Sequence, residues 1–195
     1  MTPAVTFYYD LGDPECWLVA ERIATALPLV PEFVCVLARG LGDEQRQPEG
    51  EQRQPDREAL AGRAAELGLL PLRWPRAWPP DSRAAALAAT YAAGIGKVVA
   101  FSLAAFRQTF AAGRDLGDID TVLLAGAACE MHPRALLKAI ERRSVALGLQ
   151  QAIDRARGAG ISRLPAIAVA QRLFVGESCP ERAALALAGA GETGR

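Results

Sequence analysis

The sequence predicts an α/β fold in which a β-α-β opening and a β-β-α ending build one sheet around an inserted all-helical block. Three observations predict it. Short apolar runs rich in β-branched and aromatic residues occur near both ends, at Val5–Tyr9, Pro31–Leu37, Ala166–Val169 and Leu173–Val175. Between them, Asp81 to about Gly158 reads as almost continuous helix. Turn chemistry marks the changes of character, at Asp10–Pro14, Pro71–Pro80 and Gly158–Pro165. The expected organisation is one domain made of residues 1–70 and 159–195, a helical insertion over 71–158, and a polar flexible loop over 43–58.

In chain order, Val5–Tyr9 is the first strand, Pro14–Leu27 the first helix and Pro31–Leu37 the second strand. The following segment turns abruptly polar and holds a local duplication, Glu44-Gln45-Arg46-Gln47-Pro48-Glu49-Gly50 and then Glu51-Gln52-Arg53-Gln54-Pro55-Asp56-Arg57. Two copies of a heptapeptide do not make a solenoid, and this composition cannot bury a core, so a surface excursion is expected. Asp56–Leu67 reads as a helix stopped by Gly68, and Pro71–Pro80 is too rich in proline to be helical. The helical block should break near Gly94–Gly96, Gly113–Gly117 and His132–Pro133, with Asp118 and His132 at helix starts. The ending reads as a loop to Pro165, a strand over Ala166–Val169, a turn at Gln171-Arg172, a strand over Leu173–Val175 and a last helix over Glu181–Leu187.

At 195 residues the chain is long enough for one large domain or a small domain with an insertion. Its 22 Lys and Arg balance 22 Asp and Glu, so no basic footprint argues for nucleic acid or an anionic membrane. Hydrophobic residues make up 51%, mostly alanine and leucine, which suits an ordered, helix-rich protein. No basic-then-apolar leader precedes the first strand, and the longest apolar run, Val122–Cys129, is too short to cross a bilayer. The expectation is a soluble cytoplasmic protein. Cys16, Cys35, Cys129 and Cys179 are scattered without Cys-x-x-Cys or zinc-ligand spacing, so no metal is expected. Cys35, Cys129 and Cys179 read as small buried hydrophobes.

The most informative segment is Asp10-Leu11-Gly12-Asp13-Pro14-Glu15-Cys16-Trp17-Leu18, a strand-to-helix turn of the form X-Pro-X-Cys. It is similar to the Cys-x-x-Cys turn of thioredoxin-like proteins, with Asp13 where the nucleophilic cysteine would stand. The whole layout resembles the DsbA-like branch of the thioredoxin fold. Within it, the chain most resembles the 2-hydroxychromene-2-carboxylate isomerase and kappa-class glutathione transferase group. Phe7-Tyr8-Tyr9-Asp10 with Asp13-Pro14-Glu15-Cys16-Trp17-Leu18 carries the likeness, where that group commonly has Tyr-Asp and then Ser-Pro-Tyr-Ser-Trp-Leu. Leu72-Arg73-Trp74-Pro75 with Pro79-Pro80-Asp81-Ser82-Arg83-Ala84 carries it again, as does Leu164-Pro165-Ala166 with Leu173-Phe174-Val175-Gly176-Glu177.

The resemblance implies a thioredoxin-like fold with an inserted helical domain, a cis Leu164–Pro165 bond facing the turn, and glutathione as a bound cosubstrate. It implies that Leu164 and Pro165 hold the peptide, that Glu177 and Ser178 meet its γ-glutamyl end, and that Trp74 walls an acceptor pocket for a small organic substrate. Trp78 joins Trp74 as a candidate wall or as plain interface packing. A homodimer is implied in the same way.

Asp13 admits three readings. It is an N-cap followed by proline, worth about 1 kcal/mol over alanine. Alternatively it serves a glutathione site, where an ionised carboxylate has no proton to give a sulfur and opposes a thiolate; a general-base role would require a raised pKa. In the third reading Cys16 is the surviving half of a redox pair and the chain is a DsbA-type thiol oxidoreductase relative; one cysteine cannot cycle as a dithiol within the turn. A non-catalytic binding protein with a degenerate site is the remaining class. His132, the only histidine, reads as a helix-entry residue.

Overall fold

A computed structural model describes residues 4–42 and 56–192. Most of the expected polar loop, residues 43–55, lies outside the described residues. Strands β1 (Val5–Tyr9), β2 (Glu32–Cys35), β3 (Ala166–Val169) and β4 (Arg172–Val175) form one sheet in the order β2-β1-β3-β4. β1 runs parallel to β2 and antiparallel to β3, and β3 and β4 form an antiparallel hairpin. The parallel pair needs a crossover, which α1 (Pro14–Ala26) supplies. Among the described residues six α-helices separate β2 from β3: α2 (Arg57–Glu66), α3 (Arg83–Gly94), α4 (Val98–Phe106), α5 (Ile119–Ala128), α6 (Pro133–Ile140) and α7 (Arg143–Gly158). α8 (Cys179–Glu192) follows β4.

The strands alternate faces, so paired residues form rows across the sheet. One row is Phe33, Phe7, Ile167 and Phe174, all buried. α8 covers its end, where the Arg182 guanidinium lies 5.5 Å from the Phe174 ring centroid. Tyr9, two residues along the same face, packs on Phe33 and on Phe106 of α4. Its hydroxyl shares a 2.6 Å buried hydrogen bond with Ser102 of α4. Trp17 of α1 stacks on Phe110 and donates to Glu21, and Arg107 forks onto the same Glu21 carboxylate at 2.8 and 2.7 Å. The helical block and the sheet therefore share one continuous core.

Several expected boundaries shift. The strand expected over Pro31–Leu37 shortens to Glu32–Cys35, although Val36 N–H still bonds the Tyr9 carbonyl at 2.9 Å. The expected turn at Gln171-Arg172 falls one residue earlier, because Arg172 pairs with Val169 and Ala170 adopts the left-handed conformation, φ 51°. The last helix starts at Cys179 rather than Glu181 and extends beyond Leu187. Its entry is a turn in which Cys179 N–H bonds the Gly176 carbonyl, and Pro180 is harmless in a first turn whose N–H groups have no helical partner. The helical block has an unforeseen break at Glu141-Arg142 and one π-helical turn, Arg107–Ala111. Among the described residues no helix is long and apolar enough to cross a membrane.

The Tyr9–Ser102 bond ties sheet to helical block where water cannot replace it. Tyr9→Phe should cost about 1–2 kcal/mol by stranding the Ser102 hydroxyl, whereas adding Ser102→Ala should recover much of that loss. Urea unfolding of the two single variants and the double variant measures the difference.

Candidate functional site

The β1–α1 turn is built around Asp10, a buried carboxylate at the end of β1. Its Oδ1 accepts from Gly12 N at 2.9 Å and its Oδ2 from Ala38 N at 2.8 Å, while its backbone carbonyl accepts from Asp13 N at 3.2 Å. One side chain thus shapes the turn and ties it to the chain leaving β2. Gly12 is needed for a close approach: a Cβ there would lie 3.3 Å from Pro80 Cγ and 3.4 Å from Ser82 Cβ. The proline-rich segment is thereby seated on the turn.

Asp13 is the N-cap of α1. Its Oδ1 accepts from Glu15 N at 2.8 Å and from Cys16 N at 3.3 Å, with Pro14 at the first helical position. A helix N-terminus ordinarily favours an anion. Here the balance reverses, and the carboxyl is pushed up to about 7. Burial is the largest cause, followed by the negative charges of Glu15 and Asp10, and the two N–H bonds only partly offset them. Residue 13 as a whole is half-buried. A raised pKa is what the general-base reading of Asp13 requires.

Cys16 lies behind Asp13 and is completely buried. Burial, then the Asp13 charge, pushes its thiol well above the ordinary range. Nucleophilic cysteines are exposed and have lowered pKa values, and Cys16 has neither property. Cys35, Cys129 and Cys179 are also free and buried.

The sheet register brings the other expected segment to the same end. Ala166 pairs with Tyr8, so Pro165, one residue ahead of β3, lies at the same end of the sheet as the β1–α1 turn. The Leu164–Pro165 peptide bond is cis, and both residues are buried. The Pro165 carbonyl accepts from Gly176 N at 2.8 Å, which draws in the turn holding Glu177 and Ser178. Glu177 does not present a free carboxylate there. Arg63 of α2 and Arg22 of α1 both pair with it, and Arg22 also pairs with Glu181. Ser178 is exposed. Arg22 Nε is the one buried side-chain polar atom among the described residues without a hydrogen-bond partner.

Trp74 and Trp78 are half-buried and meet edge to face, centroids 4.6 Å apart. The Arg57 guanidinium sits 4.6 Å from the Trp74 centroid. Their segment is pinned at its far end by Arg73 N–H, which donates to the Phe110 carbonyl of the π-helical turn at 2.7 Å. Gly113, at φ 70°, leaves room there for Arg73. The Trp78–Pro79 bond is a second cis peptide. His132 accepts from Arg134 N through Nδ1 and serves as the N-cap of α6. No group of three or more potential ligands for a metal ion occurs among the described residues.

Sequence reasoning missed Asp10 as the organiser, Arg22 and Arg63 as the partners of Glu177, and Arg57 beside Trp74. The only local signal was Asp10 followed two residues later by glycine, a pattern in which a carboxylate bonds the backbone ahead of it.

No protein-family description matches the chain, and no curated protein matches it. Solved structures do. A 2-hydroxychromene-2-carboxylate isomerase superposes with a TM-score of 0.77 at 14% identity, over 97% of this chain and 95% of its own. A Streptomyces coelicolor protein described as a probable DsbA oxidoreductase gives 0.75 at 18% identity, over 97% and 90%. The cytosolic disulfide reductase DsbM from Pseudomonas aeruginosa, solved with GSH, gives 0.67 at 15% identity, over 97% and 99%. Identities this low establish the architecture and leave the chemistry to the residues.

The raised carboxyl has a consequence for stability. Between its ordinary value of 3.8 and about 7 the folded state holds the Asp13 proton more tightly than the unfolded state. The stability this group contributes is fully present below that interval and is lost as pH rises through it. Asp13→Asn keeps a capping side chain without the titration. The stability of the native protein relative to this variant should fall from pH 4 to pH 7 in urea unfolding; parallel curves would contradict the shift.

Proposed function

We propose that this chain, which has the DsbA-like thioredoxin fold, is a glutathione-linked isomerase or transferase acting on a small organic molecule. The observation that carries the reading is Asp13: a carboxyl on a half-buried residue at the head of α1, pushed up to about 7, at the sheet end where Leu164 and Pro165 lie. In its protonated form Asp13 donates a hydrogen bond to the cysteinyl sulfur of glutathione and favours the thiolate. In its ionised form it takes a proton from the thiol or the substrate. A pKa near the working pH suits a group that must do both.

The Leu164 backbone would pair with the glutathione peptide, as an extended ligand adds to a strand. Ser178, exposed in the turn after β4, would meet the γ-glutamyl end of glutathione beside Glu177, whose charge Arg63 and Arg22 already meet. Trp74 and Trp78 would flank the second substrate. That one structural relative was solved with GSH supports this reading. A reducing, cytoplasmic setting fits four cysteines that are all free.

Disulfide exchange is the weaker reading. It needs an exposed thiolate, and Cys16 is enclosed, has a raised pKa and lacks a partner cysteine at position 13.

Isothermal titration with glutathione tests the proposal. Saturable heat in the millimolar range or tighter is expected. No heat at millimolar glutathione would remove the reading. Binding without turnover of any aromatic electrophile, unchanged by Asp13→Asn, would leave a binding protein.

A further inference from the structure

We propose that the outer edge of the sheet, strand β4, docks an extended peptide segment in which acidic and apolar residues alternate. β4 is the last strand in the order β2-β1-β3-β4, so it pairs with β3 on one side and with no strand among the described residues on the other. Antiparallel partners alternate between residues that bond toward each other and residues that bond away. Two observations fix the phase here. The hairpin closes on the pair Val169 and Arg172, and Gly176 N–H bonds the Pro165 carbonyl. Arg172 and Phe174 therefore bond to β3, while Leu173 and Val175 turn their N–H and C=O groups outward. No other segment of the described residues takes those groups up. Such a row is a template for one more strand.

The side chains beside the row set the chemistry of the occupant. Arg172 and Phe174 share one face of the strand, Leu173 and Val175 the other. On the first face the Arg172 guanidinium lies 5.2 Å from the Phe174 ring centroid, and Arg182 of α8 reaches the same ring at 5.5 Å. Both arginines are exposed, and neither has an ion pair among the described residues. The acids close by in the chain are already engaged, Glu177 by Arg22 and Arg63 and Glu181 by Arg22. On the second face Leu173 and Val175 are half-buried. A strand laid against β4 keeps the same period of two. Its side chains on the first face then meet two unpaired cations, and those on the second extend an apolar surface. Alternating carboxylates and aliphatic groups satisfy both faces at once.

The same charges exclude the competing occupants. A basic segment would set like charge against Arg172 and Arg182. Two copies of this chain joined edge to edge would gather the arginines of both at one seam.

The peptide acetyl-Glu-Val-Glu-Val-Glu-amide, titrated into the intact chain and followed by backbone-amide NMR, tests this. It should bind saturably, shift the Leu173 and Val175 amides most and slow their hydrogen exchange. Affinity should fall at least several-fold in Arg172→Glu and with rising salt, because the pairs are exposed. If that variant fails to fold, Arg182→Gln and the salt dependence of the native chain decide in its place. The peptide acetyl-Lys-Val-Lys-Val-Lys-amide should not bind. Absence of saturation at millimolar acidic peptide overturns the proposal, as does equal binding of the lysine peptide. So does a bound peptide that leaves the Leu173 and Val175 amides unmoved, or one that glutathione displaces, which would place it beside Pro165 instead.

Discussion

The buried carboxylate of Asp10 is the constraint on which the candidate site depends. Its two oxygens reach backbone N–H groups of different segments, Gly12 in its own turn and Ala38 in the chain leaving β2. Such a bridge is strong because the acceptor is charged and the groups it satisfies are shielded from water. It closes the β1–α1 turn to a shape that puts Asp13 at the head of α1. It also sets Gly12 against Pro80 and Ser82, which seats the tryptophan-bearing segment on the same turn.

The bridge has an electrostatic result as well. A fixed negative charge at Asp10, with Glu15 one residue into the helix, surrounds Asp13 with like charge in a poorly hydrated place. The helix N-terminus and two N–H bonds act in the opposite direction and lose. A position that in most proteins would hold a plain anionic cap therefore holds a carboxyl that titrates near neutrality. The same turn that lacks a nucleophilic cysteine holds a carboxyl with a raised pKa.

Much of the fold was legible because it rests on local patterns. The alternation of Val5–Tyr9, the Asp13-Pro14 helix start, the glycine breaks and the Leu164-Pro165 loop each announce themselves within a few residues. What was not legible depends on contacts distant in sequence. Ala38 lies 28 residues from Asp10, and Arg22 meets Glu177 across 155. No local signal pairs them. The Asp13 shift was hidden for a related reason: capping preference is read from the next three residues, whereas desolvation comes from everything packed around the turn. The π-helical turn escaped notice because Arg107–Ala111 has an ordinary helical composition, and what sets it apart is a carbonyl that bonds Arg73 in another segment.

Glu177 shows how fold and chemistry separate. Its place in the turn after β4 follows from the hairpin, and its charge is taken up by two arginines on α1 and α2. In the proposed function the chemistry rests on Asp13, whose ionisation can be observed directly. Selective 13C labelling of aspartate, with the Asp13 side-chain carbonyl followed by NMR across pH and assigned with Asp13→Asn, gives its titration midpoint. A midpoint close to 7 is predicted. A midpoint in the ordinary carboxylate range, near 4, would mean that capping outweighs burial and that Asp13 is only the start of a helix.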